Sequence, residues 1–174
     1  MIKSRKPNRL KVYDYSLPGY YFITICTNNM QKLFGIVKEG SMILNKNGIL
    51  VYQNLIKIPK INKEIELDEY VVMPNHIHSI IINNGEVVDA KFASTTVDTD
   101  RSKMTLSKVI QQFKRACTID IKGITPQIDK LWQRSFYDRI IRNEKELFNI
   151  RKYIRENPLR WDIEKNIPQN LDLF

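Results

Sequence analysis

Little in this chain suits a membrane-spanning, disulfide-rich or zinc-finger protein. None of its segments approaches the roughly 20 apolar residues that cross a bilayer. Its basic N-terminus has no apolar run behind it, which argues against a signal peptide. Only two cysteines are present, Cys26 and Cys117, and they form no CxxC pair. Both are predicted to be small buried hydrophobic residues in a reducing cytoplasm, and neither is expected to bind a metal.

Acidic residues are scarce relative to basic ones. The chain has 28 Lys and Arg residues against 19 Asp and Glu residues, which gives a net charge of +9. A basic surface attracts polyanions, of which nucleic acid is the first candidate and a membrane surface the second. Many small basic proteins bind no particular anion, so the charge by itself leaves that alternative open.

Histidine is also scarce, and both copies lie one residue apart. His76 and His78 occur inside the apolar run Val71–Ile82, whose β-branched residues indicate a strand. Side chains alternate between the two faces of a strand, so both imidazoles point the same way and Ile77 points the opposite way. Such a pair supplies half of a metal site, although two ordinary surface histidines can have the same spacing.

The remaining pattern favours an α+β fold. The predicted strands are Tyr20–Thr27, a short piece at Leu33–Val37, Glu64–Met73, the histidine strand and the end of Trp132–Ile141. The predicted helices are Asn47–Ile58, Thr105–Lys122 and one that begins at a cap formed by Asn143 with Glu146 and ends at Asn157. Pro59, Gly123 and Pro158 are expected to end these helices. This order predicts a ferredoxin-like antiparallel sheet with helices packed mainly on one face.

One domain is expected over residues 1–174, because 43% hydrophobic content at this length supplies a core. Residues 1–17 are predicted to form a basic N-terminal arm, which either follows a phosphate backbone or is a solvated tail. Residues 85–104 are predicted to be a flexible loop, longer than compact domains usually contain.

Tyr153 and Asn157 lie four residues apart on the last predicted helix. This spacing places both side chains on one helix face, one turn apart. Spacing alone also fits a packed tyrosine and a C-terminal asparagine with no chemical role.

Four separated segments resemble the REP-associated tyrosine transposases, a branch of the HUH single-strand endonucleases related to the small single-tyrosine insertion-sequence transposases. The segments are Tyr20–Asn28, Val71–His78 with its His-Ile-His motif, Leu131–Asn143 and Tyr153–Pro158. They follow the order found in that family, and the resemblance extends from about Leu10 to Trp161.

The resemblance implies a role for each matching residue. His76, His78 and Asn157 would bind a divalent metal, Mg²⁺ or Mn²⁺, with the histidines on a central strand. Tyr153 would be the catalytic nucleophile that forms a covalent phosphotyrosine linkage with single-stranded or hairpin DNA. The insertion-sequence relatives usually have Gln four residues after the tyrosine, so Asn157 fits the REP-associated branch. Both a monomer and a homodimer are compatible with the resemblance.

Basic and aromatic side chains supply the predicted DNA-binding residues. They are Lys114, Arg115, Arg134, Tyr137, Arg139 and Arg142. Two rival functions stay open at this point. One is a metal-dependent hydrolytic nuclease, and the other is a non-catalytic nucleic-acid-binding module of ferredoxin-like fold.

Overall fold

The computed structural model describes residues 17–85 and 106–163. Its strands are β1 (Gly19–Cys26), β2 (Gly35–Lys38), β3 (Ser41–Leu44), β4 (Ile65–Val72), β5 (His76–Asn83) and β6 (Tyr137–Ile141), and its helices are α1 (Lys46–Ile61), α2 (Leu106–Ile124) and α3 (Glu144–Ile163). The predicted arm and loop lie outside the described residues, apart from Leu17 and Gly85, and the single-domain organisation stays a prediction. No helix in the two described ranges has both the length and the apolar character needed to cross a bilayer.

Four strands form one antiparallel sheet in the order β4-β5-β1-β6. Without the small β2–β3 hairpin, the chain order is strand, α1, two strands, α2, strand, which is the ferredoxin-like arrangement. The predicted α+β fold with an antiparallel sheet is therefore confirmed. The strand that carries the histidines lies between two others, so its side chains are covered on both faces of the sheet.

Alternate residues of the sheet face two separate hydrophobic cores. On one face, Ile23 and Ile25 of β1 pack against buried side chains of α1 and α2. On the other face, Phe22 of β1 and Ile80 of β5 pack against Ile150 of α3. Packing of helices mainly on one face thus holds for α1 and α2, whereas α3 covers the opposite face.

A bulge in β4 ties α3 to the sheet. The pairing of β4 with β5 shifts register at Asp68 and Glu69, which lie at the irregularity. The Asp68 carboxylate accepts a hydrogen bond from Nε of Arg151 at 2.7 Å, and Glu69 pairs with Arg155 at 3.3 Å. Because these arginines flank Tyr153 on the helix, the bulge fixes the position of the turn that carries the tyrosine.

The predicted ends of two helices are wrong, because α1 and α3 continue through Pro59 and Pro158. A proline inside a helix leaves the carbonyl four residues earlier without its amide donor, so contacts elsewhere must hold the residues that follow. In α3, Trp161 is buried, and the Asp162 carboxylate accepts a hydrogen bond from the amide of Gly40 at 3.1 Å. These contacts stabilise the last turns of α3 by more than Pro158 destabilises them.

Two helical glycines differ in the space around them. In α1, a Cβ on Gly48 would overlap the carbonyl oxygen of Phe34. Gly123 lies inside α2 rather than at its end, and no atom beyond its chain neighbours and the adjacent helical backbone lies within 4 Å of its Cβ position. Gly48→Ala is therefore expected to lower the free energy of unfolding by about 2–4 kcal/mol. Gly123→Ala is expected to raise it by about 0.5–1 kcal/mol. Urea denaturation measures both, and equal effects would contradict the close packing at Gly48.

The first turn of α3 has the predicted cap with one difference. Oδ1 of Asn143 accepts a hydrogen bond from the Glu146 amide at 2.8 Å. The Glu146 carboxylate accepts in return from the amide of Arg142 at 2.9 Å, one residue before the cap, and from Nε of Arg139 at 2.6 Å. Burial alone raises the pKa of Glu146, but the hydrogen bonds from Arg142 and Arg139 outweigh it, so the net pKa is lowered.

This lowered pKa predicts a pH-dependent contribution to stability. The carboxylate stabilises the fold above its unfolded pKa of about 4.3, and the contribution is lost as the pH falls through the lower folded value. Glu146→Gln is expected to lower the free energy of unfolding by about 1–2 kcal/mol at pH 7, and by progressively less below about pH 4. Urea denaturation across this pH range measures the difference, with Glu144→Gln in the same turn as the exposed control. A deficit that stayed constant down to pH 2 would contradict the assignment.

Candidate active site

His76 and His78 lie side by side on the α3 face of β5. Their ring centroids are 4.5 Å apart, and the residues are 1% and 2% exposed. Ile77 belongs to the core on the opposite face, as strand alternation predicts. Burial of both imidazoles excludes the alternative of two ordinary surface histidines.

Asn75 determines which nitrogen of His76 carries the proton. The Asn75 amide nitrogen donates to the carbonyl oxygen of Met30 at 3.2 Å, so Oδ1 of Asn75 faces Nδ1 of His76 at 2.7 Å. An amide oxygen only accepts, so Nδ1 carries the proton and Nε2 has a lone pair. Burial lowers the pKa of His76 to about 4, an effect that Asn157 partly offsets. Nε2 is buried and makes no hydrogen bond of ordinary geometry with the described residues.

His78 is held between two hydroxyl groups. Its Nδ1 is 2.9 Å from Oγ1 of Thr24, and its Nε2 is 3.3 Å from the hydroxyl of Tyr153. Burial and, secondarily, the neighbouring His76 lower the pKa of His78 well below its ordinary value. The ring is therefore neutral near pH 7. When Nδ1 donates to Thr24, Nε2 presents its lone pair towards Tyr153.

Tyr153 and Asn157 approach the histidines from α3. Both are buried, with 5% and 7% exposure, on the face of the helix that packs against the sheet. The ring centroids of Tyr153 and His78 are 5.2 Å apart, and the side chain of Asn157 lies beside His76. The fold thus brings together, within one chain, all four residues that the sequence motifs predicted as metal ligands and nucleophile.

The donor set of this cluster fits a divalent metal ion. In residues 17–85 and 106–163, no three His, Cys, Asp or Glu side chains are grouped to hold a metal, so a third ligand beside the histidines must be of another type. The amide oxygen of Asn157 is such a donor. The lone pair of His76 Nε2 favours a ligand here, because a buried acceptor without a partner is rare and costly.

Burial raises the thiol pKa of Cys26 to about 11 and also raises that of Cys117. Neutral thiols suit the predicted role of both cysteines as buried hydrophobic residues.

Aromatic rings that the sequence did not predict enclose the histidines. Phe22 stacks on His78 with 5.3 Å between ring centroids, and Trp161 lies 5.7 Å from His76. Lys32 lies over the Trp161 ring, 5.9 Å from its centroid. Contact with these rings limits the freedom of the imidazoles and contributes to their burial.

A cation over the Tyr153 ring is a third residue that the sequence did not predict. Lys152 and Arg155, next to Tyr153 in the sequence, pair with the carboxylates of Glu156 and Glu69. Arg160, two turns further along α3, also pairs with Glu156, at 3.4 Å, and it lies over the Tyr153 ring at 5.7 Å. On a helix, residues i and i+7 share a face, whereas neighbours in sequence do not.

Two of the predicted DNA-binding residues have structural contacts. Nζ of Lys114 donates to two backbone carbonyl oxygens of the segment before β6, at 2.9 and 2.8 Å. Nε of Arg139 pairs with the Glu146 carboxylate at 2.6 Å. These contacts hold β6 and the start of α3 in place, so both cations are less available to phosphate groups.

The other four predicted DNA-binding residues are exposed. They are Arg115, Arg134, Tyr137 and Arg142. Tyr137 lies directly opposite Thr24 in the register of β1 and β6. Residues that are paired across neighbouring strands share a face of the sheet, so Tyr137 lies on the same face as the histidine cluster. Contact of these four residues with DNA stays a prediction.

Comparison with known proteins places this geometry in context. No family model matches the chain. An uncharacterised protein of Haemophilus influenzae is 35% identical over 166 residues, which covers 92% of each chain. The solved structure of a REP-associated tyrosine transposase bound to a REP hairpin has a TM-score of 0.53 and 21% identity, and the match covers 87% of this chain and 74% of that one. The resemblance found in the sequence motifs is thereby confirmed at the level of the fold.

Proposed function

The chain belongs to one family with the Haemophilus influenzae protein and has the fold of a REP-associated tyrosine transposase, and we propose that it is a single-tyrosine transposase that cleaves and rejoins DNA. Its substrate would be single-stranded DNA at hairpin-forming repeats. The net charge of +9 suits this polyanionic partner.

The observation that carries the proposal is the contact between Tyr153 and the histidine pair. The Tyr153 hydroxyl is 3.3 Å from Nε2 of His78, and Nε2 of the neighbouring His76 is buried and makes no hydrogen bond of ordinary geometry within residues 17–85 and 106–163. A tyrosine with only a structural role does not require two neutral imidazoles whose Nδ1 atoms are held by other side chains. A metal site beside a nucleophile does require them, because the contacts at Nδ1 direct the Nε2 lone pairs towards the metal.

The residues of the chain have distinct tasks in the proposed reaction. The Tyr153 hydroxyl loses its proton as its oxygen attacks the scissile phosphorus and an O–P bond to tyrosine forms. The bond to the 3′ oxygen breaks, and that oxygen takes up a proton to leave a free 3′-hydroxyl, so the step is balanced in protons. Attack by a 3′-hydroxyl on the phosphotyrosine reverses these bond changes and joins strands without ATP. A Mg²⁺ or Mn²⁺ ion held by His76, His78 and Asn157 would neutralise charge on the phosphate oxygens.

Tyrosine needs activation because its ordinary pKa is about 10. Arg160 lies over the Tyr153 ring at 5.7 Å and pairs with Glu156 at 3.4 Å, and its remaining positive charge would stabilise negative charge that develops on the phenolic oxygen. The lone pair of His78 Nε2 cannot both bind a metal and accept the phenolic proton. His78 is therefore assigned here as a ligand and not as a general base.

Denaturing gel electrophoresis tests the proposal. The wild-type protein is incubated with labelled single-stranded hairpin DNA, with Mn²⁺ or with a chelator. The expected result is a labelled band that survives denaturation, needs the metal, and maps to Tyr153 by mass spectrometry. Cleavage without such an adduct would favour the hydrolytic nuclease. Binding that is unaffected by chelator, with neither cleavage nor adduct, would favour the non-catalytic binding module.

A further inference from the structure

A small cleft lies next to the histidine cluster at the edge of the sheet. It has a volume of about 280 Å³ and is lined by Phe22, Tyr137, Asp138 and Arg139. Phe22 borders both, because it lines the cleft and its ring also stacks on His78. The cleft and the cluster are thus neighbouring features of one face.

Strand register fixes the distance between Tyr137 in the cleft and His78, which contacts the Tyr153 hydroxyl. His78 of β5, Thr24 of β1 and Tyr137 of β6 lie opposite one another in a single row across three strands. Neighbouring strands are about 4.8 Å apart, so Tyr137 lies on the order of 10 Å from His78 along this row. A strand of DNA with a phosphate at Tyr153 therefore reaches the cleft within one or two nucleotides.

The chemistry of the cleft suits a base better than a phosphate. The charge of Arg139 is balanced by Glu146 at 2.6 Å. Two aromatic residues line the cleft, the buried Phe22 and Tyr137, which is 41% exposed. An exposed aromatic ring beside a nucleic-acid site offers a stacking surface to an unpaired base.

We propose that this cleft binds one unpaired nucleobase of the DNA strand whose phosphate lies at Tyr153, with the Tyr137 ring as the stacking surface. The proposal rests on the proposed function and names a subsite for its substrate. The row of His78, Thr24 and Tyr137 couples base binding to phosphate position, so Tyr137 sets where along the strand the cut falls.

Binding to two probes tests the subsite without the native target sequence, because stacking on aromatic rings is tolerant of sequence. One probe is a dT12 oligonucleotide, and the other is a 12-residue abasic strand with the same phosphates and no bases. Tyr137→Ala is expected to bind dT12 about five- to 150-fold more weakly than the wild type and the abasic strand equally well. Tyr137→Phe keeps the ring and is expected to bind both probes as the wild type does.

Tyr52→Ala is the matched control, since Tyr52 is 39% exposed on α1, on the far side of the sheet. It is expected to bind both probes like the wild type. An equal loss on both probes with Tyr137→Ala would show contact with the backbone and overturn the base site, as would no loss on either probe. Thermal unfolding confirms that each variant is folded.

The same titrations in a Tyr153→Phe background separate this inference from the proposed function. Base-dependent binding that requires Tyr137, in a protein whose wild type forms no adduct, would refute the transposase proposal and leave the base site. An adduct at Tyr153, together with binding whose dependence on bases does not require Tyr137, would support the transposase proposal and refute the base site.

Discussion

Replacement of Tyr153 by Phe is expected to lower covalent adduct formation by on the order of 10⁴-fold or more, because the attacking oxygen is removed. The change deletes one hydroxyl group and keeps the ring that packs against Phe22 and Arg160. The lost hydrogen bond to His78 is long, at 3.3 Å, so the free energy of unfolding is expected to change by less than about 1 kcal/mol. Loss of activity would therefore report chemistry and not unfolding. Denaturing gels with labelled hairpin DNA and Mn²⁺ measure the adduct.

Tyr52→Phe is the matched control for this experiment. It also removes a single phenolic hydroxyl, from a residue on α1 that lies outside the site, and it is expected to form the adduct at the wild-type rate. Undiminished adduct formation by Tyr153→Phe would move the nucleophile to another residue. Undiminished strand cleavage without an adduct would identify water as the nucleophile and support the hydrolytic nuclease.

The sequence was sufficient to predict the parts of the site that depend on local periodicity. Period-two alternation correctly placed His76 and His78 on one face, and helical spacing correctly placed Tyr153 and Asn157 on another. Both patterns depend only on residues close together in the chain. The family resemblance then indicated that these two faces meet, which no local pattern can establish.

Contacts that depend on strand register were beyond the sequence analysis. Thr24 bonds to His78 because β1 pairs with β5 in one register, and a shift by one residue would turn Thr24 to the other face. Phe22 reaches the site for the same reason. Arg160 was missed for a different reason, since the predicted stop at Pro158 removed the last turns of α3 from consideration. A correct account of Trp161, which is apolar and three residues beyond that proline, would have pointed to a longer helix.

The bulge in β4 shows how the remaining geometry arises. Asp68 and Glu69 interrupt the alternation of the strand, and their carboxylates pair with arginines of α3. Two adjacent carboxylates in the middle of a strand are unfavourable for strand formation by themselves. They become favourable only when α3 is in place, because their ion pairs with the arginines hold the turn that carries Tyr153.

Mn²⁺ is expected to raise the melting temperature of the wild type and to leave that of His76→Ala unchanged. An ion that binds only the folded state adds about 2.7 kcal/mol at 100 times its Kd, which corresponds to a rise of about 5–10 °C for a chain of this size. In His76→Ala the lone pair on Nε2 is gone, and Nε2 of His78 and the Asn157 amide cannot replace the missing ligand. Adduct formation is expected to fall at least about 100-fold, because loss of a contact that merely orients a ligand already costs about 10- to 100-fold. Differential scanning calorimetry with and without Mn²⁺ gives a readout that does not depend on catalysis.

A destabilised variant outside the site is needed as the control, since His76→Ala also removes a buried ring. Asn54→Ala serves this purpose, because Asn54 is a buried residue that hydrogen-bonds to Asp120 at 2.7 Å and lies on α1, which packs against the face of the sheet opposite the histidines. It is expected to melt below the wild type yet keep both the Mn²⁺-dependent rise and the adduct. An equal Mn²⁺-dependent rise in the melting temperature of His76→Ala would show that the metal binds elsewhere in the molecule. His76 Nε2 would then not be a metal ligand. A wild-type melting temperature that did not respond to Mn²⁺ would instead favour the binding module, in which the two histidines bind no metal.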